Sequence, residues 1–264
     1  MSPLPAHYTK HLSQLQYPFR QSTFYLTQLD NGQTNGSALW LGAQCLSCYL
    51  ADILAKKSFT SRPKAIELGS GIGLTSLVMA TLGWDMLATD LPDVIASVLF
   101  PNITRNLPTL PPGAGTIQVR SLDWLKLPEE WNWQDPVSIA PSSPKTHEWL
   151  EEGEMLEPPF DLILSADTLY SPSLSEPLLR TLHALAMKSV KATSGHAPPV
   201  YICLERRDPI LIDQVLADAR DHWNFVTERI PHKKVAKALE RGGLQWERED
   251  WDGVEIWKLS MKTV

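Results

Sequence analysis

The 264-residue chain carries 24 Lys and Arg against 30 Asp and Glu, a formal charge of −6, and is 43% hydrophobic and 20% charged. That balance suits a globular α/β domain and argues against a general nucleic-acid binder, which needs a basic face. No apolar run reaches the roughly 18 residues a membrane span requires. The odd set Cys45, Cys48 and Cys203, with no export pattern ahead of it, points to a reducing compartment, cytoplasm or nucleus.

Residues 1–20 read as an extended lead-in. Ser22–Leu29 then alternates, with Phe24, Leu26 and Leu29 apolar, and suits a strand. Asn31-Gly32 and Asn35-Gly36 mark turns, so an N-terminal β-hairpin extension over 1–36 is expected. Ala38–Gln44 runs into a helix over Cys45–Lys56 with Leu46, Tyr49, Leu50, Ile53 and Leu54 on one face. Cys45-x-x-Cys48 has redox or half-zinc spacing, but no second ligand pair accompanies it. The two thiols therefore read as small residues packing a helix on a core, and no metal is expected. Trp40, at the start of this helix, either covers a ligand or anchors the helix on a sheet.

Lys64–Asp90 organises the chain. Ala65-Ile66-Glu67-Leu68 is a buried-type strand, Gly69-Ser70-Gly71-Ile72-Gly73 breaks it, and Leu74, Leu77, Val78 and Leu82 recur at helical spacing up to Gly83. Met86–Thr89 is a second strand with Asp90 at its end. Glycines let the backbone turn sharply beside a ligand. The helix start offers free N–H groups, and an acid about 20 residues on can accept from a ribose diol. These are the parts of a nucleoside-binding βαβ unit. A dinucleotide site would carry G-x-G-x-x-G, whereas here Glu67 precedes Gly69, Gly71 and Gly73, and Leu74 stands at the third-glycine position. A carboxylate at Glu67 would repel a pyrophosphate and hold a cation, which favours S-adenosylmethionine, with its sulfonium and ammonium, over a nicotinamide cofactor.

Leu91-Pro92-Asp93 opens a helix over Val94–Asn106 that Pro101 interrupts, and Ile117–Ser121 is a strand running into Leu122-Asp123-Trp124. Polar residues at strand carboxyl ends face the ligand crevice of an open α/β sheet. Asp123 is thus placed either to meet an adenine amino group, with Trp124 beside it, or to cap the next segment. Leu125–Pro159, rich in Pro, acids and Trp, reads as an insertion that packs in part. Phe160–Tyr170 carries the clearest strand and brings Ala166 and Asp167 to the same edge. A helix over Leu174–Val190, a strand over Val200–Leu204, a helix over Pro209–Asn224 and an antiparallel pair, Phe225–Ile230 with Val254–Lys262, follow. The whole is expected to be one domain, a doubly wound, seven-stranded, mostly parallel α/β sheet with an antiparallel C-terminal strand.

Taken together, Leu39-Trp40, Glu67–Leu74, Asp123-Trp124 and Asp167-Thr168-Leu169-Tyr170 resemble the class I, seven-β-strand methyltransferases, and within them the protein-lysine methyltransferases marked by a D-x-x-Y motif. The resemblance covers about Gly36–Leu185 well. It implies a Rossmann-like methyltransferase fold and S-adenosylmethionine as cofactor, with S-adenosylhomocysteine as product. The implied cofactor contacts are Trp40, Glu67, Gly69, Ser70, Gly71, Gly73, Asp90, Leu91, Asp123, Trp124 and Ala166. Asp167 and Tyr170 would meet the acceptor amine, unless they serve as a helix cap and a packing ring. The implied substrate is a protein lysine, in a translation factor or a chaperone-type ATPase. A nucleic-acid amine methyltransferase would carry D-P-P-Y where Thr168-Leu169 stand. A small-molecule methyltransferase and a non-catalytic S-adenosylmethionine-binding module remain as alternatives.

Overall fold

The computed structural model describes residues 2–29, 36–54, 61–140, 154–190 and 195–262. At its centre β3 (Lys64–Leu68) lies between β4 (Asp85–Asp90) and β7 (Leu162–Ala166), both parallel to it. Beyond β4 the sheet continues through β5 (Ile117–Leu122) to the short β6 (Ser138–Ala140). Beyond β7 come β8 (Val200–Glu205), β10 (Val254–Met261) and β9 (Phe225–Arg229), with β10 antiparallel to both of its neighbours. Chain order runs outward in opposite directions from β3 and β7. That reversal is the switch point at which a crevice opens outside the carboxyl ends of the strands.

The strands read as apolar runs because both faces are covered. Met86, Ala88, Leu162 and Leu164 join one core, while Leu87 and Ile163, between them in sequence, join the other. The first core is filled by α1 (Leu41–Leu54), α2 (Leu74–Thr81) and α7 (His232–Arg241), the second by α5 (Pro172–Lys188) and α6 (Pro209–Asp221). Cys45, Cys48 and Cys203 are buried in the first core as free thiols. Burial raises all three, Cys48 to about 12. Among the described residues no helix is long and apolar enough to cross a membrane.

The sheet has eight strands where seven were expected. The extra strand, β6, lies in the insertion that carried no strand signal, because three residues are too short for a periodic pattern. Pro101 does not break the helix it interrupts. Helical turns run through α3 (Pro92–Val94), Ile95–Leu99 and α4 (Phe100–Asn106), and the middle piece widens to a π turn, with the Phe100 N–H donating to the Ile95 carbonyl. The wider turn absorbs the amide hydrogen that Pro101 lacks.

The hairpin is displaced from its expected place. β1 (Gln14–Phe19) lies inside the supposed lead-in and pairs with β2 (Ser22–Thr27) across Arg20 and Gln21. The Asn31-Gly32 turn lies outside the described residues, as does Asn35. Alternation in β1 was present, since Leu15, Tyr17 and Phe19 are all buried. The free edge of β2 is closed by asparagines. Asn102 Oδ1 accepts from the Thr27 N–H at 2.7 Å and Asn106 Oδ1 from the Tyr25 N–H at 2.9 Å, and each Nδ2 donates back to the same residue's carbonyl. The side chains thus act as a third strand, tying the hairpin to the core domain.

The described parts of the insertion are packed. Trp131 and Trp133 meet edge to face, Trp133 also contacts Phe160, and Trp131 is buried. Their anchor is Arg120 on β5, only 1% exposed. Its Nη1 donates to the Trp133 carbonyl at 2.9 Å and its Nη2 to the Leu156 carbonyl. One planar guanidinium therefore joins the two described arms of the insertion to the sheet. Arg120→Met should cost about 3 kcal/mol in urea unfolding, because it leaves buried carbonyls without donors. Arg120→Lys should recover little of this, since one ammonium cannot span both carbonyls.

Candidate active site

At the carboxyl ends of β3, β4, β5 and β7 the sheet opens into a cavity of about 490 Å³. Its floor is the turn after β3. Gly69 sits at φ +69°, and a Cβ there would lie 2.7 Å from Thr168 Cγ2 and 3.4 Å from the Trp124 ring. A side chain at this position would thus be strained and would fill the cavity. Gly71 donates its N–H to Asp90 Oδ2 at 2.8 Å, and Leu91 donates to Asp90 Oδ1 at 2.8 Å. These bonds hold the Asp90 carboxylate against the turn with accepting capacity to spare on both oxygens. Burial nevertheless outweighs them and raises Asp90 to about 6.

The walls gather most of the residues expected from sequence. Trp40, Leu91, Asp123, Trp124 and Ala166 line the cavity with Gly69, Gly71 and Asp90, and Asp167 and Tyr170 stand at one end. Asp123 also uses its Oδ1 to accept from the Leu125 N–H at 2.9 Å, so the capping role and a place on the wall coexist. The buried Trp124 Nε1–H has no hydrogen-bond partner among the described residues. Reasoning from sequence missed Gly36, Val94, Leu122, Leu125, Thr168 and Leu174 on the same walls. Leu122 and Leu125 flank the Asp123-Trp124 pair and Thr168 lies inside the Asp167–Tyr170 motif, whereas Gly36, Val94 and Leu174 carry no local signal.

Glu67, Ser70 and Gly73 are not on the cavity wall. Glu67 is 1% exposed and accepts from Ser76 Oγ on α2 at 2.5 Å, so it does not present its charge to a ligand. Burial raises it to about 7 despite that bond. Ser70 is buried and exchanges bonds with Thr89, its N–H to the carbonyl at 2.9 Å and its Oγ from the N–H at 3.1 Å. Gly73 begins α2 and packs toward Leu99 and Ile103. These three shape the turn from beneath. The preference for a cation that Glu67 was expected to supply comes instead from Asp90, Asp123 and Asp167, and no Lys or Arg is among the described residues lining this cavity. An acidic, largely apolar pocket with a ribose-competent carboxylate fits S-adenosylmethionine and disfavours a pyrophosphate.

Asp167 is built into place. It adopts φ +55°, uncommon for a residue with a side chain. Its N–H donates to the Cys203 carbonyl at 2.8 Å, and its Oδ2 accepts from the Gly42 N–H at 2.6 Å. A Cβ on Gly42 would lie 2.5 Å from that oxygen, so only glycine allows this approach. Burial raises Asp167 to about 6, opposed by the Gly42 N–H, the Arg207 guanidinium and the Glu205 N–H.

Residues 21–140 match the family model described as lysine methyltransferase. Human methyltransferase-like protein 22 is 28% identical over 238 residues, covering 87% of this chain and 55% of that protein. The fission yeast (Schizosaccharomyces pombe) protein-lysine N-methyltransferase rrg1 is 29% identical over 144 residues, 54% of this chain and 40% of its own. Mouse protein-lysine methyltransferase METTL21E is 30% identical over 154 residues, 58% and 53%. The chain spans about half the length of the curated relatives it matches. A solved structure from Pyrococcus horikoshii, assigned as an RNA methyltransferase, superposes with a TM-score of 0.50 at 15% identity over 90% of this chain and 94% of that one. The chain thus shares the fold of that solved structure, and residues 21–140 match the lysine methyltransferase family model.

The three raised carboxyls have a consequence for stability. An acid whose pKa is higher folded than unfolded binds more protons in the folded state, so its stabilising effect is complete below the unfolded value and lost as pH rises through the folded one. For Glu67 that window runs from about 4.3 to about 7. Glu67→Gln should keep the Ser76 bond and remove this loss. The variant should gain about 3 kcal/mol relative to wild type between pH 4.5 and pH 8, read as the difference of unfolding free energies from urea titrations at the two values. Asp90 and Asp167 should leave a residual slope of the same sign.

Proposed function

We propose that the protein is an S-adenosylmethionine-dependent protein-lysine N-methyltransferase, acting on a lysine of another protein in the cytoplasm or nucleus. The observation that carries the reading is the pair of acids on the wall of one cavity, Asp90 at the end of β4 and Asp167 just past the end of β7. Asp90 is suited to a ribose diol and Asp167 to an ammonium, and the family match over residues 21–140 supports it.

When bound, S-adenosylmethionine supplies a methyl group already activated by a sulfonium. The residues that would hold it are Gly69 and Gly71 through the turn, Asp90 at the ribose, and Trp40, Leu91, Asp123, Trp124 and Ala166 around the remainder. The protein's part in an in-line displacement is alignment. Asp167 and Tyr170 form the wall that an acceptor amine must pass. A lysine attacks only when neutral, and its ordinary pKa is about 10.4. A carboxylate favours the charged form, so Asp167 draws in and orients the ammonium rather than acting as a strong base. Proton release to water follows docking. Tyr170 adds an aromatic wall and a hydroxyl beside the amine.

The test is labelling of a cytosolic extract with radiolabelled S-adenosylmethionine, resolved by gel and by lysine-specific mass spectrometry. One labelled protein is expected. Asp167→Asn should lower its labelling rate at least about 100-fold, while S-adenosylhomocysteine binding stays within about threefold. Label confined to the small-molecule fraction would overturn the lysine reading in favour of a small-molecule methyltransferase.

A further inference from the structure

Past Asp167 lies a second cavity, of about 300 Å³, which shares Trp40, Asp167 and Tyr170 with the first. Its far side is made where β8 ends and α6 begins, by Glu205, Arg207 and Asp208 among others. The two acids differ in how they are engaged. Asp208 Oδ1 caps α6 by accepting from the Leu211 N–H at 3.0 Å. The Glu205 carboxylate stands close enough to Asp167 to disfavour its charge, and it pairs with the Arg207 guanidinium, which acts the other way. That guanidinium also stands 5.0 Å from the centre of the Trp40 ring.

Neighbouring Arg206 provides a contrast. It binds Glu255 and Asp213 and joins β8 to β10 and α6, as a structural arginine does. Arg207 joins no second strand or helix core in this way. Among the described residues its guanidinium pairs with the Glu205 carboxylate, lies by the Trp40 indole and acts on Asp167, all on the wall of the same cavity. A carboxylate and an aromatic face are the partners an incoming lysine ammonium would take.

We propose that this second cavity is the acceptor channel, that Glu205 is a substrate-binding carboxylate for the acceptor ammonium, and that Arg207 is an internal cation occupying its place at rest. The inference rests on the methyltransferase reading and deepens it. The lysine side chain enters between Trp40 and Tyr170, displaces Arg207 from Glu205, and is passed to Asp167, whose position is fixed by the Gly42 N–H and the Cys203 carbonyl. No bond is made or broken in this step; one cation replaces another at a carboxylate. The acceptor is therefore a flexible primary ammonium on an alkyl stem.

Calorimetric titration of the full chain tests this without knowledge of the target protein. The probes are S-adenosylhomocysteine and an analogue in which the sulfur is replaced by a nitrogen bearing a butylammonium arm. In the wild type the arm should tighten binding about tenfold. Glu205→Gln should remove most of that gain while leaving S-adenosylhomocysteine affinity within about twofold, which also reports that the variant is folded. Arg207→Gln should enlarge the gain several-fold, because the competing cation is gone. No gain from the arm, or an equal gain in wild type and Glu205→Gln, would overturn the proposal. A smaller gain in Arg207→Gln would overturn the displacement step. If the wild type bound neither probe, the methyltransferase reading beneath the proposal would fall instead.

Discussion

The hydrogen bond from the Gly42 N–H to Asp167 Oδ2 joins two parts of the chain that sequence keeps 125 residues apart. One is the start of α1, which carries Trp40; the other is the end of β7. Without this bond the cavity would have no fixed end wall, since Asp167 sits at a positive φ that its own residue type does not favour. The strand supplies the second tether through the Cys203 carbonyl. Held from both sides, the carboxylate separates two cavities and faces both. Trp40 and Tyr170 complete the same partition.

The arrangement concentrates buried acids where burial is costly. Glu67, Asp90 and Asp167 are all pushed upward by desolvation, and each is offset only in part by hydrogen bonds from Ser76, Gly71 or Gly42. A protein selected for stability alone would place neutral residues here. Glu67 differs from the other two because it reaches no cavity. Its bond to Ser76 ties β3 to α2 directly beneath the glycine turn, so its destabilising charge fixes the turn on which Asp90 leans. Asp90 and Asp167 instead keep their oxygens at the wall, available to hydroxyls or an ammonium.

The central fold was legible because it rests on patterns with a short range. Apolar runs beside glycines gave β3 and β4, an apolar run after a proline pair gave β7, and strand-end acids gave the crevice. What failed did so for identifiable reasons. The π turn before Pro101 is a backbone adjustment that residue type does not announce. β6 is held by Ser121 and Leu122 of a partner strand, so its formation is a tertiary event. The role expected of Glu67 failed because spacing says that an acid is near a turn, not which side of the sheet it faces. Gly42 looked like any small residue in a helix start, and its necessity appears only when Asp167 is placed beside it.

Charge explains why one fold can separate two ligands at adjoining cavities. The first cavity carries Asp90, Asp123 and Asp167 and no basic residue among those described on its wall. The second carries Asp167, Glu205 and Asp208 against Arg207, and the Lys10 ammonium lies 3.7 Å over the ring of its wall residue Trp40. Both therefore attract positive charge, which is what the proposed reaction would need to bring a sulfonium and an ammonium together despite their mutual repulsion. With effective dielectric constants near 20 at such partly buried sites, two unit charges about 4 Å apart repel by about 4 kcal/mol. A carboxylate beside both would offset that cost, and Asp167 is the acid that lines both cavities. In the proposed reaction the repulsion would also favour proton loss from the amine beside the sulfonium, which counters the tendency of the acids to keep it charged. The electrostatics that would assemble the pair would thus limit how long the acceptor stays an unreactive ammonium.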